Sequence, residues 1–193
     1  MPSDYFHKVA EKTPTRLWIN NPSGASGKCP LFYVTHITGI FDEYLGKLVQ
    51  KQGIGISAEA LAWAGSSVAR KQYSLLRERG YPGTMLGGGA RSTRHFTDFV
   101  GGDFHITINW STVQELLEWD PPVVSRIGVA TPPAILAELS ARLPDYHRAF
   151  DEGALPIEEF TEFGPVQLFR NNFIAGYNRL LAELEVRDLH NDV

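Results

Sequence analysis

The sequence predicts an α/β fold, in which about four short parallel strands alternate with helices and an all-helical extension follows. Three observations indicate this fold. Short apolar runs rich in β-branched and aromatic residues alternate with helical patterns up to residue 119, an alternation typical of parallel βα units. After residue 120 the strand patterns stop, and only helical patterns continue. Between residues 84 and 96 a strand pattern breaks on glycines beside an arginine, which is how a barrel of βα units presents an anion site.

Four strands are predicted along the first part of the chain. The clearest is Leu31–Ile37, because its continuous apolar, β-rich run is typical of a buried strand. The others are Pro14–Asn20, Gly83–Gly87 and Phe104–Asn109.

Capping residues mark two of the predicted helices. Ser57 is a favourable N-cap for a long helix that ends at Gly80, and Ser111 is expected to cap the helix Thr112–Trp119. Further helices are expected over Phe41–Val49, Thr93–Val100, Thr131–Leu143, two short pieces around Pro156, and Pro165–Val186.

The last predicted helix carries a stripe of apolar side chains at spacings of three and four residues. Such a stripe predicts one buried helix face, so these residues are expected in the core. They are Val166, Phe169, Phe173, Tyr177, Leu180, Leu181 and Leu184.

The composition is that of a protein with a sizeable core and no strong charge. The chain has 193 residues, of which 43% are hydrophobic, enough for a folded domain. A net charge of −4 gives no basic field for nucleic acid. No run of about 18 apolar residues occurs. Neither nucleic acid nor a membrane is therefore expected as a partner.

Cysteine and histidine content argue against a metal centre. Cys29 is the only cysteine, which excludes an intrachain disulfide and suits a reducing cytosol. The six histidines show no His-x-x-x-His spacing, so neither a metal nor a cofactor is expected. The N-terminus lacks the basic and apolar blocks of a signal peptide, so a cytoplasmic location is expected.

The glycine-rich segment predicts an anion site around Arg91. Its guanidinium supplies a fork of donors, Ser92 adds a hydroxyl or backbone donor, and the next helix directs N–H groups at the charge. Ser92 serves equally well as an N-cap, and Arg91 is alternatively a surface arginine after a loop. Asp42 and Glu43 lie near a predicted helix start, which leaves both capping and chemistry open.

Three stretches resemble motifs of the transaldolase family. Gly88-Gly-Ala-Arg91, with Phe99-Val-Gly-Gly-Asp103 and His105-Ile-Thr-Ile-Asn109 after it, looks like the last two βα units of these enzymes. Tyr33–Tyr44 is similar to the family's sixth-strand motif, and Thr15–Asn20 resembles its first strand. The resemblance covers about residues 14–119.

The resemblance implies a partial (β/α)8 TIM barrel from an enzyme family of carbohydrate metabolism. These enzymes transfer a dihydroxyacetone unit between sugar phosphates through a lysine Schiff base. The resemblance implies Arg91 as the phosphate-binding residue, and Ser92 beside it is the second candidate for that site. Only about ten residues separate the first-strand and sixth-strand matches, whereas four missing βα units would need roughly 120. The strands that carry the family's lysine and glutamate are therefore unmatched.

Candidates for catalytic positions are few. Asn20 stands where the family has a first-strand aspartate, and an amide cannot shuttle a proton. Lys28 echoes the lysine motif but lies in a Gly-rich turn. His36 and His105 lie in strand sequences, where a histidine acts as an acid or base or is hydrogen-bonded structure. The family's sixth-strand arginine has no counterpart after Gly39.

The predicted organisation is a flexible segment over residues 1–13, a partial barrel over 14–119 and a helical extension over 120–193. A half-barrel exposes strand edges and apolar inner faces. Three hypotheses cover this: the helical extension closes the opening, a homodimer completes the ring, or the chain is a truncated product. The expected function is a transaldolase-like, sugar-phosphate-binding protein that lacks most catalytic residues. The alternative is an inactive barrel that acts in interaction or assembly.

Overall fold

The structure, a computed structural model, describes residues 33–81 and 83–191, with side chains as far as residue 186. The predicted segment 1–13 and strand Pro14–Asn20 lie outside the described residues, and so does Lys28. The described chain is a mixed α/β structure with a small parallel sheet, which confirms the predicted class at that level.

Three parallel strands form the sheet, in the order in which they occur along the chain. They are β1 (Tyr33–His36), β2 (Thr84–Ala90) and β3 (Phe104–Ile108). Val34 lies opposite Met85, and Met85 lies opposite Phe104. Parallel pairing of consecutive strands confirms the prediction of βα units, because such pairs require a crossover connection.

Helices follow each strand and then fill the rest of the described chain. They are α1 (Thr38–Gln52), α2 (Ala58–Glu78), α3 (Arg94–Thr97), α4 (Trp110–Trp119), α5 (Pro133–Arg142), α6 (Pro144–Phe150) and α7 (Gly164–Asn191), with a 3-10 turn at Ile157–Glu159.

One predicted helix cap is confirmed and one is wrong. The Ser57 hydroxyl accepts a hydrogen bond from the Ala60 N–H (3.1 Å) at the start of α2. At α4 the cap is Asn109, whose Oδ1 accepts from the Thr112 N–H (2.9 Å). The predicted cap, Ser111, lies inside the first turn and donates to Asn109 (3.3 Å). Asn109 occupies the extended position before the helix, from which its side chain reaches the free N–H groups.

The main core is formed between helices on one side of the sheet. Phe41, Leu45 and Val68, from α1 and α2, pack against Leu139 and Tyr146, from α5 and α6. The helices after residue 120 therefore share a core with those that precede it. A smaller cluster, Val34, Leu76 and Met85, attaches α2 to the sheet.

The other face of the sheet is exposed and largely polar within the described residues. It carries Tyr33, Thr35, His105 and Thr107, with the half-buried Leu86 between Thr35 and His105. The rings of Tyr33 and His105 meet edge to face at 5.2 Å. The sequence predicts apolar inner faces for a half-barrel. The described face instead offers hydroxyl and imidazole groups.

The apolar stripe of α7 does not lie in the core, contrary to the prediction. The first turn of α7 packs against α1. There the Tyr44 side chain lies so close to Gly164 that a Cβ at position 164 would overlap it. From Arg170 to Val186 every residue is exposed. Phe173, for example, keeps 66% of its surface accessible. The stripe is exposed because the helix continues beyond the body of the protein.

Within the described residues, every helix is too short or too polar to cross a membrane. The same part of the chain holds no group of three or more His, Cys, Asp or Glu side chains that is suited to a metal ion.

Candidate functional site

The candidate site lies at the carboxyl ends of β1 and β2. Ligands of open parallel sheets bind at this edge, where the chain leaves each strand for a helix. Here β1 leads into α1, which carries Asp42, Glu43 and Lys47, and β2 leads to Arg91 and His95. We refer to these five residues as the carboxyl-edge site.

A carboxylate shared between two cations forms the exposed part of the carboxyl-edge site. Glu43 forms an ion pair with Arg91 through one oxygen and with Lys47 through the other, the second at 2.6 Å. The Arg91 and Lys47 side chains are 47% and 59% exposed, whereas Glu43 is 24% exposed. This exposed trio of two cations and one carboxylate carries a charge of +1, and the Asp42 carboxylate beside it brings the five-residue site to zero.

The buried part of the site is an Asp42–His95 pair. His95 Nε2 lies 2.5 Å from Asp42 Oδ2, and the Gly65 N–H donates to Asp42 Oδ1 (2.7 Å). His95 Nδ1 accepts from the Arg91 N–H (3.2 Å), which places the proton of the neutral ring on Nε2. Both ring nitrogens are engaged, so this histidine positions Arg91 and has no nitrogen free for acid–base work.

The glycines before Arg91 allow the strand to pack closely on α1. A Cβ on Gly39, in the first turn of α1, would overlap the Gly89 carbonyl oxygen and touch the Arg91 side chain. Gly89 itself has a φ of 61°, and its N–H donates to Thr107 Oγ1 (2.8 Å). The sequence predicts that these glycines admit a ligand. The structure gives them packing contacts between β2, β3 and α1.

Ser92 and the helix after it add little to the site. The Ser92 carbonyl accepts from the His95 N–H (3.1 Å), while its hydroxyl makes no hydrogen bond within the described part of the chain. Helix α3 is a single turn, Arg94–Thr97, and is too short to act as a helix dipole of the predicted kind. Arg91 therefore stands without a helix N-terminus behind it.

Asp42 and Glu43 are not helix caps. Helix α1 begins at Thr38, three residues before the predicted start, so both carboxylates lie in its second turn. Of the two roles that the sequence left open, capping is therefore excluded, and a role in the site stays a prediction. Lys47 was not predicted, although its i,i+4 spacing from Glu43 is a signal for an ion pair on a helix.

His36 lies apart from the charged group and lines an apolar cavity. The cavity has a volume of about 280 Å³ and is bordered by Phe41, Leu76 and Phe163, among others. One ring nitrogen of His36 hydrogen-bonds to the backbone of Gly65, and burial lowers the pKa of His36 to about 3. Its Nε2 is enclosed and meets no hydrogen-bond partner in the described residues. His36 is thus a neutral side chain in an apolar setting.

His105 lies on the open face of the sheet, outside the carboxyl-edge site. Its ring contacts Tyr33. The candidate positions Asn20 and Lys28 lie outside the described residues. Of the residues predicted for a site, the structure therefore places Arg91 and Ser92 together and keeps the strand histidines away from them.

The fold and the site define a mixed α/β protein with a solvent-facing arginine and lysine that share one carboxylate at the carboxyl edge of a parallel sheet. Comparison with known proteins adds no relative, because no family model, curated protein or solved structure matches this chain.

Proposed function

We propose that this chain binds a sugar phosphate at the carboxyl-edge site, on part of a transaldolase-like (β/α)8 barrel, and that Schiff-base catalysis is absent. The observation that supports the proposal best is the sharing of Glu43 by Arg91 and Lys47 at the end of β2. Strand order also supports it, because consecutive parallel neighbours, each followed by a helix, are what successive units of a barrel provide.

A phosphate dianion binds here by replacing the Glu43 carboxylate. Arginine offers a planar fork that fits two phosphate oxygens, and lysine adds a point charge. Ion pairs between exposed groups contribute only about 0–1 kcal/mol, so moving Glu43 aside costs little. A dianion then attracts both cations more strongly than one carboxylate does.

The backbone of Arg91 is held in place, while its side chain is 47% exposed and is held by Glu43 alone among the carboxylates of the site. Its N–H donates to His95, His95 pairs with Asp42, and Asp42 accepts from Gly65 on α2. This chain of hydrogen bonds connects the end of β2 to three helices, α3, α1 and α2. A fixed backbone with an exposed guanidinium is a suitable arrangement for exchanging one anion for another.

The absence of Schiff-base chemistry is proposed from the surroundings of the lysines. A catalytic amine needs a desolvated setting in which it loses its proton near neutral pH. Lys47 is the lysine next to Arg91, yet it is exposed and paired with Glu43. Lys71 pairs with Asp151 at 3.4 Å, away from the site. No lysine in the described residues is buried.

Ligand-dependent stabilisation tests the proposal. We expect dihydroxyacetone phosphate and inorganic phosphate to raise the Tm of the wild-type chain, since a ligand of the folded state stabilises it by mass action. Dihydroxyacetone alone should not do so. The rise should vanish in Arg91→Ala and persist in Arg77→Ala, a matched control whose exposed guanidinium pairs with Asp103. A wild-type Tm that phosphate leaves unchanged would rule out the site.

Borohydride trapping tests the catalytic part separately. Reduction in the presence of a ketose phosphate converts a Schiff base into a stable amine, so mass spectrometry detects any lysine that forms one. We expect no adduct. An adduct on any lysine, Lys28 included, would overturn the non-catalytic assignment while leaving phosphate binding intact.

A further inference from the structure

Helix α7 extends from the body of the protein with an apolar face uncovered. Every residue from Arg170 to Val186 is exposed. The large apolar side chains along it are between 40% and 66% exposed. They are Phe173, Ile174, Tyr177, Leu180, Leu181, Leu184 and Val186, and we call the first six the α7 stripe.

The α7 stripe lies on one side of the helix. Phe173, Tyr177, Leu180 and Leu184 are spaced by four, three and four residues, which keeps them in line on a helix that turns about 100° per residue. Leu181 widens the line on one flank. The stripe is about 17 Å long, from eleven steps of about 1.5 Å. Contiguous apolar surface of this kind marks an interaction site.

The charges of α7 do not fit a lipid surface. Between residues 170 and 186 the helix has two arginines, Arg170 and Arg179, and two glutamates, Glu183 and Glu185. Their sum is zero. Helices that lie on membranes carry an excess of basic over acidic residues on the polar face. Residues 170–186 of α7 have no such excess.

The same charges fit a second copy of α7 that runs in the opposite direction. Arg170 lies seven residues before Tyr177, and Glu185 lies eight residues after it. Around the helix Arg170 lies about 20° and Glu185 about 80° from Tyr177, in the same direction, so Arg170 lies in line with the stripe and Glu185 lies on its flank. We consider antiparallel pairing that is centred on Tyr177. The heights of Arg170 and of Glu185 of the partner subunit along the helix axis then differ by about 1.5 Å. Parallel pairing brings like charges together instead.

We propose that two copies of this chain form a homodimer by antiparallel packing of their α7 stripes, with Arg170 of each copy beside Glu185 of the partner subunit. Two-fold symmetry makes the contact isologous, so each copy buries its stripe against the stripe of the other and the charge pair forms twice. This contact leaves the carboxyl-edge site open, and it differs from a dimer that completes a barrel through the sheet.

The molar mass in solution tests the dimer. Light scattering and sedimentation at micromolar concentration should give twice the mass of the 193-residue chain. Tyr177→Asp places a charge at the centre of the contact and should raise the dimer Kd about 100-fold or more. Ala175→Asp, a matched control on the opposite side of the helix, should leave the mass unchanged. Circular dichroism should show equal helix content in the two variants.

A charge exchange tests the antiparallel geometry. Arg170→Glu and Glu185→Arg should each raise the dimer Kd about three- to tenfold, and the double variant should restore it. A monomeric wild-type chain overturns the proposal. The stripe is then either covered by another part of the chain or bound to lipid, and binding to neutral vesicles separates these two outcomes. A dimer that ignores Tyr177→Asp, or a double variant without restored pairing, overturns it as well.

Discussion

His95 and Arg91 are connected by a hydrogen bond that runs from the Arg91 backbone N–H to His95 Nδ1 (3.2 Å). The other ring nitrogen is held by Asp42. Because the imidazole is 3% exposed and neither nitrogen is free, its role is to fix the chain where β2 ends. Arg91, which presents its cationic side chain, and His95, which holds the Arg91 backbone, are therefore only four residues apart in the sequence.

Replacing His95 should loosen the site and the fold together. His95→Ala leaves the Arg91 N–H and one oxygen of Asp42 without their partner in a largely buried setting, which should cost about 1–3 kcal/mol of unfolding free energy. Urea denaturation measures this, and phosphate affinity should fall with it. His147→Ala is the control, because His147 and Asp151 form an exposed pair worth less than about 1 kcal/mol. Equal losses in the two variants would contradict the positioning role.

Removing the competing carboxylate should strengthen anion binding. Glu43→Gln frees Arg91 and Lys47 from their shared ion pair, so phosphate should bind about two- to fivefold more tightly. Calorimetry at low ionic strength measures the effect, and added salt should reduce it. Glu78→Gln is the control, because Glu78 ends α2 at the opposite edge of the sheet. Weaker binding in Glu43→Gln would mean that Glu43 contacts the ligand directly.

The stability of the protein should depend on pH through His36. Its pKa is about 3 in the folded protein, lowered mainly by burial, and about 6.5 when unfolded. Between these values the unfolded chain binds the extra proton. The stabilisation is therefore complete above about pH 6.5 and is lost as the pH falls towards 3. From pH 7.5 to pH 5 the loss is up to about 2 kcal/mol.

His36→Gln tests that assignment. Unfolding free energies at several pH values should show a shallower slope in His36→Gln than in the wild type. A slope unaffected by His36→Gln would assign the acid sensitivity to other groups.

Much of the fold is predictable from local signals, because those signals act within a few residues. The apolar run at 31–37 and the Ser57 cap each require only their neighbours in sequence. Helix α7 is also predictable as a helix, but not as an exposed one. Periodicity shows that a helix has an apolar face, while the neighbour of that face depends on where the rest of the chain ends up.

The candidate site is predictable only in part. Arg91 is indicated by its glycine context, which is a local pattern. Its partners come from α1, about 45 residues earlier in the sequence, and are set by where that helix begins. Once α1 starts at Thr38, Glu43 and Lys47 stand one turn apart and Glu43 reaches Arg91. Such long-range contacts leave no periodic mark in a single sequence.

The start of α4 offers a direct test of which residue caps it. Asn109→Ala removes the oxygen that accepts from the Thr112 N–H, so it should lower the unfolding free energy by about 0.5–2 kcal/mol. Ser111→Ala should change it by less than about 0.5 kcal/mol, since that side chain lies exposed inside the helix. Thermal and urea unfolding of both variants measures the difference. A larger loss in Ser111→Ala would restore the cap expected from the sequence.

Two glycines of α1 should respond in opposite ways to the same substitution. Gly39 packs against the Gly89 carbonyl and the Arg91 side chain, whereas a Cβ on Gly46 meets nothing within 4 Å. Gly46→Ala should stabilise the protein by about 0.5–1 kcal/mol, because alanine favours the helix. Gly39→Ala gains the same propensity but forces α1 away from β2, at a net cost of about 1–3 kcal/mol. Since that movement also carries Lys47 on α1 away from Arg91 and so separates the two cations, Gly39→Ala should weaken phosphate binding while Gly46→Ala leaves it unchanged. Urea unfolding and phosphate titration of the two variants measure both effects, and a stabilising Gly39→Ala would show that α1 and β2 do not approach as closely as described.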